Sequence, residues 1–186
     1  MCLECCSKGD KLAQAIKSFF GWDSNKNKNK SLKLLNEILE ESNKSTLEKE
    51  YISYTYCLIA MIYQYGRELG EEEEGIEKDM KKSIEFYEKS IEMNNPHAMY
   101  KLASIYELGK GETSVNFEMI VDLFDKSSKL NHSSSLSCLA YIYQSGSSGK
   151  IEIDIQKALD LYEKSASLNN LSSINNLAIF NSHGIF

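Results

Sequence analysis

Apolar positions in this chain recur at helical spacing and return as a repeated phrase. Met99, Leu102, Ala103 and Tyr106 fall at steps of three, one and three, the stripe of a helix that buries one face. Ile59-Ala60-Met61-Ile62-Tyr63, Leu139-Ala140-Tyr141-Ile142-Tyr143 and Leu177-Ala178-Ile179-Phe180 repeat that phrase, with alanine allowing close helix approach. A glycine follows the last apolar residue of each: Gly66, Gly109, Gly146 and Gly184, in steps of 43, 37 and 38 residues. Glycine there predicts a left-handed helix end, since it has no Cβ to clash. The final copy is decayed, with Asn181 in place of the tyrosine.

A second polar and apolar pattern follows each glycine. Apolar residues recur at Ile84, Tyr87 and Ile91, then at Val121 and Phe124 with Ser128 in the third place, then at Leu159, Tyr162 and Ala166. Asp79, Asn116 and Asp154 precede these stretches as expected N-caps, accepting from the first free amides of a helix. Asn94, Asn131 and Asn169 end them, asparagine being the residue after glycine that best tolerates the left-handed terminus. Pro96 then stands in the first turn of the next helix, where the missing amide proton costs nothing. A fixed period of this length, filled by two helices, defines units that stack because none buries its apolar face alone.

Upstream, Leu12, Ile16, Phe19 and Phe20 share one face of a helix over 11–20, with Asp10 as cap, Gly21 as stop and Trp22 folding back onto it. The stretch 25–30 alternates asparagine and lysine and reads as a loop, with Ser31 capping a helix through Leu32, Leu35, Ile38 and Leu39. Ser45-Thr46-Leu47-Glu48 fits a capping box for a long helix through Tyr51, Tyr54, Leu58 and Ile62. The expected organisation is a mobile terminus (1–10), a degenerate capping pair (11–43), repeats at 46–94, 96–131 and 133–169, and a half repeat at 171–186. The fourth copy lacks a closing second helix, so either the natural chain continues or another subunit covers Ile174, Leu177, Ala178 and Phe180.

The segment Gly75 to Ser83, with Asp79 and Lys82-Ser83, resembles the Gly-Val-x-x-Asp-x-x-Lys-Ala signature of Sel1-like repeats. Gly149 to Ala166, with Asp154, Lys157-Ala158, Tyr162 and Lys164, is closer still, and the similarity covers about residues 55 to 184. The middle copy departs from it at 111–116 and at Ile120-Val121. The resemblance implies an all-α fold, a right-handed α-solenoid of antiparallel helical hairpins with about nine helices, in a family whose members mostly act as adaptors assembling other proteins.

Charge and chemistry narrow this further. Lys and Arg total 21 against 27 Asp and Glu, a net charge of -6, which opposes nucleic acid and anionic membrane as partners. No apolar run approaches the roughly 20 residues that cross a bilayer, and the N-terminus lacks a secretory layout, which points to the cytoplasm. The five cysteines, Cys2, Cys5, Cys6, Cys57 and Cys138, share no spacing between repeats and do not make a disulfide framework. Cys2, Cys5 and Cys6 have no partner pair at zinc-site spacing and no polybasic segment to support a lipid anchor. Glu71 to Glu74 form an acidic run that could face solvent or a basic partner. His97, His132 and His183 lie at helix ends without a nucleophile at motif spacing, so neither catalytic residues, metal nor cofactor are expected.

In tetratricopeptide-like arrays the first helices line the concave side. Carrying that arrangement over, the resemblance implies a groove of Tyr54, Met61, Gln64 and Tyr65, then His97, Tyr100, Ser104, Glu107 and Leu108, then Ser134, Ser137, Tyr141, Gln144 and Ser145. Tyrosines suit protein recognition through large area and a polar tip, although about half of them are expected to pack in the core. The leading expectation is a non-catalytic adaptor holding a peptide or protein in that groove. The alternatives are a regulatory or structural segment acting, or self-associating, through a C-terminal face of Ile174, Leu177 and Phe180, and a thiol or β-lactam-type hydrolase. The last is suggested by secreted, disulfide-rich relatives linked to β-lactam binding, whose paired cysteines this chain lacks.

Overall fold

A computed structural model describes residues 10–21, 27–42, 48–66, 75–109 and 117–182. Nine α-helices and no strand occur among the described residues: α1 (Lys11–Phe20), α2 (Lys28–Ser42), α3 (Lys49–Tyr65), α4 (Met80–Ile91), α5 (Pro96–Glu107), α6 (Phe117–Lys129), α7 (Ser133–Ser145), α8 (Ile155–Ser167) and α9 (Leu171–Ser182). The chain forms two compact units, Met1–Ala98 and Met99–Phe186, whose boundary falls within α5.

In the first unit α3 packs against both α2 and α4. Six consecutive residues of α3, Cys57 to Ile62, are buried, which a helix allows only when it is enclosed on more than one side. The turn after α3 depends on Gly66, whose φ of 57° and ψ of -153° belong to glycine almost alone. The returning chain passes directly over it: a Cβ at Gly66 would lie 2.5 Å from the Lys78 amide nitrogen. Two bonds hold this crossing, the Asp79 amide donating to the Tyr63 carbonyl at 3.0 Å and Lys28 Nζ donating to the Gly66 carbonyl.

The second unit repeats the device. Gly146 turns left-handed with φ 64°, and the Asp154 amide donates to the Tyr143 carbonyl at 3.0 Å. Its core gathers Ala140, Ala158, Leu159, Tyr162 and Phe180, with Leu177 packed against it. Each second helix sinks one aromatic ring completely, Tyr87 in the first unit and Phe124 and Tyr162 in the second, all 0% exposed. Such a ring contributes roughly 1.5–3 kcal/mol by burial.

The helix ends largely follow the sequence. Asp10 accepts from the Leu12 amide, Asp79 from Lys82 and Asp154 from Lys157, while Gly21 closes α1 at φ 76°. Asn94, Asn131 and Asn169 all take positive φ near 60°. Two starts differ from expectation. Helix α2 opens at Lys28 because Asn27 accepts from the Lys30 amide; Ser31 is buried inside the helix and donates to the Ala15 carbonyl. Helix α3 opens at Lys49, with Glu48 before it making no side-chain cap bond. Trp22, Ser45 to Leu47, Glu71 to Glu74, Asn116, His183 and Gly184 lie outside the described residues, as do Cys2, Cys5 and Cys6.

Gly66→Ala is expected to destabilise the chain by about 1–3 kcal/mol, because both the conformation and the Lys78 backbone resist a methyl group. Gly109→Ala, with nothing within 4 Å of the added atom, is expected to be milder. Urea denaturation of the two variants followed by circular dichroism checks this, and equal losses would contradict it.

Candidate functional site

The first helices present their outward residues in very different ways. On α3, Met61 is only 8% exposed, so it belongs to the core and not to a groove; α3 is enclosed between α2 and α4, a packing that the repeat pattern alone does not show. Gln64 is tied down internally, its Oε1 accepting from the Tyr87 hydroxyl at 2.6 Å. Tyr54 is half-buried, with its phenol pKa raised first by burial and then by the Glu50 charge, while Tyr65 is 46% exposed. His97, half-buried, lies in the first turn of α5, where its amide donates to Asn95 Oδ1.

In the second unit, Tyr100 is half-buried against Phe124 (ring centroids 6.1 Å apart) and His132 (5.0 Å). Ser104 bonds back to the Tyr100 carbonyl. Gln144 repeats the role of Gln64, accepting from the Tyr162 hydroxyl at 2.8 Å. Ser134 and Ser137 are half-buried, and Ser145 is exposed and caps the short turn after it. Glu107, Leu108 and Tyr141 remain at the surface, the last two at 64% and 60% exposure. Of the expected groove positions in the second unit, these three are the large side chains left exposed.

The C-terminal face also divides. Phe180 is 4% exposed and its ring lies 6.1 Å from that of Tyr162, so it fills the core and is not an interface residue. Leu177 packs partly onto the same cluster. The exposed large apolar residues of α9 are Leu171, Ile174 and Ile179.

Three contacts escaped the sequence reading. Lys157 Nζ lies 3.9 Å from the centroid of the Tyr143 ring, and Lys82 Nζ 5.3 Å from that of Tyr63. The Asp-x-x-Lys spacing thus caps a second helix and places a cation over the aromatic of the first, an interaction of about 0.5–1 kcal/mol at exposed sites. The tyrosine-to-glutamine bonds are the second. The third is His132, whose Nδ1 accepts from the Ser135 amide at the start of α7. Asn95 and Asn170 make the corresponding caps before α5 and α9. Their equivalent positions, each just after a left-handed asparagine, were a legible signal for the histidine's role.

Thiol chemistry finds little support in the described cysteines. Cys57 and Cys138 are thiols outside any disulfide; Cys57 is buried, and burial, with the nearby Glu107 charge, pushes the Cys138 thiol up to about 12. A thiol held protonated at neutral pH is a poor nucleophile. Among the described residues no group of three or more His, Cys, Asp or Glu side chains could hold a metal ion, and no helix is long and apolar enough to cross a membrane.

The hairpin with its Asp-x-x-Lys return and glycine turn defines an α-helical repeat protein of the solenoid type. The Sel1 repeat family model matches residues 55–95, 96–132 and 136–170, more than half of the chain, and the chain belongs to that family. Its fold is similar to that of a Sel1 repeat protein from Oxalobacter formigenes, with a TM-score of 0.74 and 16% identity over 94% of this chain and 63% of that one. A protective antigen of uropathogenic Escherichia coli with an SLR fold gives a TM-score of 0.70 and 19% identity, over 94% of this chain and 33% of the antigen. The chain thus spans less than two thirds of either structure. No curated protein matches it. Sel1-like repeat proteins generally act as protein-interaction scaffolds.

The cap that His132 makes at the start of α7 ties stability to pH. Burial lowers its folded-state pKa from 6.5 to about 4, with Lys101 adding to the effect, and its capping nitrogen accepts only when neutral. A lowered histidine pKa contributes stability that is complete above pH 6.5 and is lost as pH falls towards 4. Replacing it as His132→Asn, as the other two caps have, is expected to reduce the loss between pH 7 and 5 by roughly 1 kcal/mol, after allowance for partial exposure. Urea midpoints of both proteins at the two pH values measure it; identical losses would refute the assignment.

Proposed function

We propose that this chain is a non-catalytic adaptor that binds a protein or peptide segment on the first helices of its second unit. The observation that carries this reading is the exposure of Tyr141 and Leu108 on α7 and just beyond α5, beside residues whose polar groups are otherwise engaged within the fold. Tyrosine and leucine at an accessible surface supply area for a partner, and the tyrosine keeps a hydroxyl for a directional bond. The cysteine spacing, which makes no disulfide framework, supports a cytoplasmic adaptor. Tyr141→Ala is expected to abolish partner capture, read by quantitative mass spectrometry of lysate proteins retained by the full chain, with melting almost unchanged. Capture that survives this change would remove the surface from consideration.

A second reading rests on α9. Ile174 and Ala178 are exposed, whereas the corresponding Leu136 and Ala140 of α7 are buried at 1% and 0%. Helix α9 carries no charged residue, so two copies of a chain with net charge -6 could meet there without direct like-charge contacts. Sedimentation velocity is expected to show a dimer that Ile174→Ser together with Ile179→Ser converts to monomer; a wild-type monomer at high concentration excludes this arrangement.

A further inference from the structure

The three repeats differ at one tier of polar contacts, and the difference lies beside Tyr141. In the third repeat the Tyr162 hydroxyl donates to Gln144, and Asn176 also interacts with that hydroxyl. In the first repeat Tyr87 donates to Gln64 in the same way. The middle repeat places Phe124, Glu107 and Cys138 where the third has Tyr162, Gln144 and Asn176. Phe124 has no hydroxyl to donate. Cys138, close enough to Glu107 for their charges to interact, offers only a weak S–H donor. Among the described residues no hydrogen bond or ion pair reaches the Glu107 carboxylate, and partial burial raises its pKa.

The surroundings indicate what would satisfy this group. Helices α5 and α7 carry only two permanently charged side chains, Lys101 and Glu107, and Lys101 lies nearly two turns away, 5.9 Å from the centroid of the Tyr100 ring. Glu107 is thus the one carboxylate on these two helices. Tyr141 stands one turn beyond Cys138 on the same face of α7, and Leu108 directly follows Glu107. An acid flanked by an exposed aromatic ring and an exposed leucine suits a long basic side chain, whose methylenes lie on apolar surface while its head meets the carboxylate.

We infer that Glu107 receives a lysine or arginine of the bound protein segment, with Tyr141 and Leu108 packing against that side chain's stem and an adjacent apolar residue. This rests on the adaptor reading and names the chemistry of its partner. It gives the middle repeat's departure a use: exchanging the tyrosine and glutamine pair for phenylalanine and glutamate replaces an internal bond with an outward-facing charge.

Selection of a random peptide library on the immobilised full chain tests this, using the wild type, Glu107→Gln, Glu107→Lys and Tyr141→Ala, each first checked for an unchanged helical melt. The wild type is expected to enrich peptides with Lys or Arg next to an apolar residue. Glu107→Gln is expected to weaken the best of these by on the order of tenfold in fluorescence anisotropy, and Glu107→Lys to shift selection towards Asp or Glu. Enriched peptides that depend on Tyr141 but show no basic preference, or whose basic preference persists in Glu107→Gln, would overturn the inference and leave the adaptor surface standing. Absence of enrichment over the bare support would overturn both.

Discussion

The α3–α4 and α7–α8 hairpins depend on the chain's return across the end of the first helix. The Asp79 amide reaches the Tyr63 carbonyl and the Asp154 amide that of Tyr143, so the last turn of one helix and the first of the next share a hydrogen bond. That bond requires the backbone to pass close over the turn, which is why Gly66 takes a conformation open to little else. Once the return is fixed, the caps of Asp79 and Asp154 start the second helices, and the lysines three residues on fall over Tyr63 and Tyr143. The buried rings of Tyr87 and Tyr162 then follow at a set distance along those helices.

Much of this was legible because it is local. A glycine after an apolar stripe, an aspartate before one and an asparagine after it each answer a requirement of the nearest few peptide groups, and Gly21, Asp79, Asp154, Asn94, Asn131 and Asn169 took the expected conformations. What escaped is non-local. Met61 stands on α3 where the exposed Tyr141 stands on α7, and only the packing of α3 between α2 and α4 places it in the core. Phe180 shares the stripe of Ile174 and Leu177, yet its ring is drawn into the cluster around Tyr162. The start of α2 falls earlier than the pattern suggests because Asn27, in a run that reads as loop, takes the cap while Ser31 is committed to the Ala15 carbonyl on another helix.

The candidate surface was legible as a set of positions but not as a ranking. Gln64 and Gln144 look like polar groove residues in the sequence, and their hydroxyl partners lie 23 and 18 residues away on another helix. Tyr100 looks like an anchor and instead packs its ring, tilted, against those of Phe124 and His132. In the second unit, setting aside residues engaged within the fold leaves Glu107, Leu108 and Tyr141 as the large exposed positions, fewer than the tyrosine-dotted groove that the repeat pattern suggests.

The buried serines carry a consequence for how such a chain can change. Ser135 donates to Ser127 and Ser173 to Ser165, both at 2.7 Å, while Ser165 also donates onward to the Ser133 carbonyl. Ser90 donates to the Ser53 carbonyl in the same manner, but Ala98 occupies the place of Ser135 and Ser173, and Asn95 reaches Ser53 Oγ instead. The later junctions therefore share one fitting and the first has another. Duplicating or exchanging modules in the second unit would preserve every hydroxyl pair, whereas setting the start of α5 after α6 or α8 would put Ala98 where Ser135 or Ser173 donates, so the repeats are not all interchangeable parts.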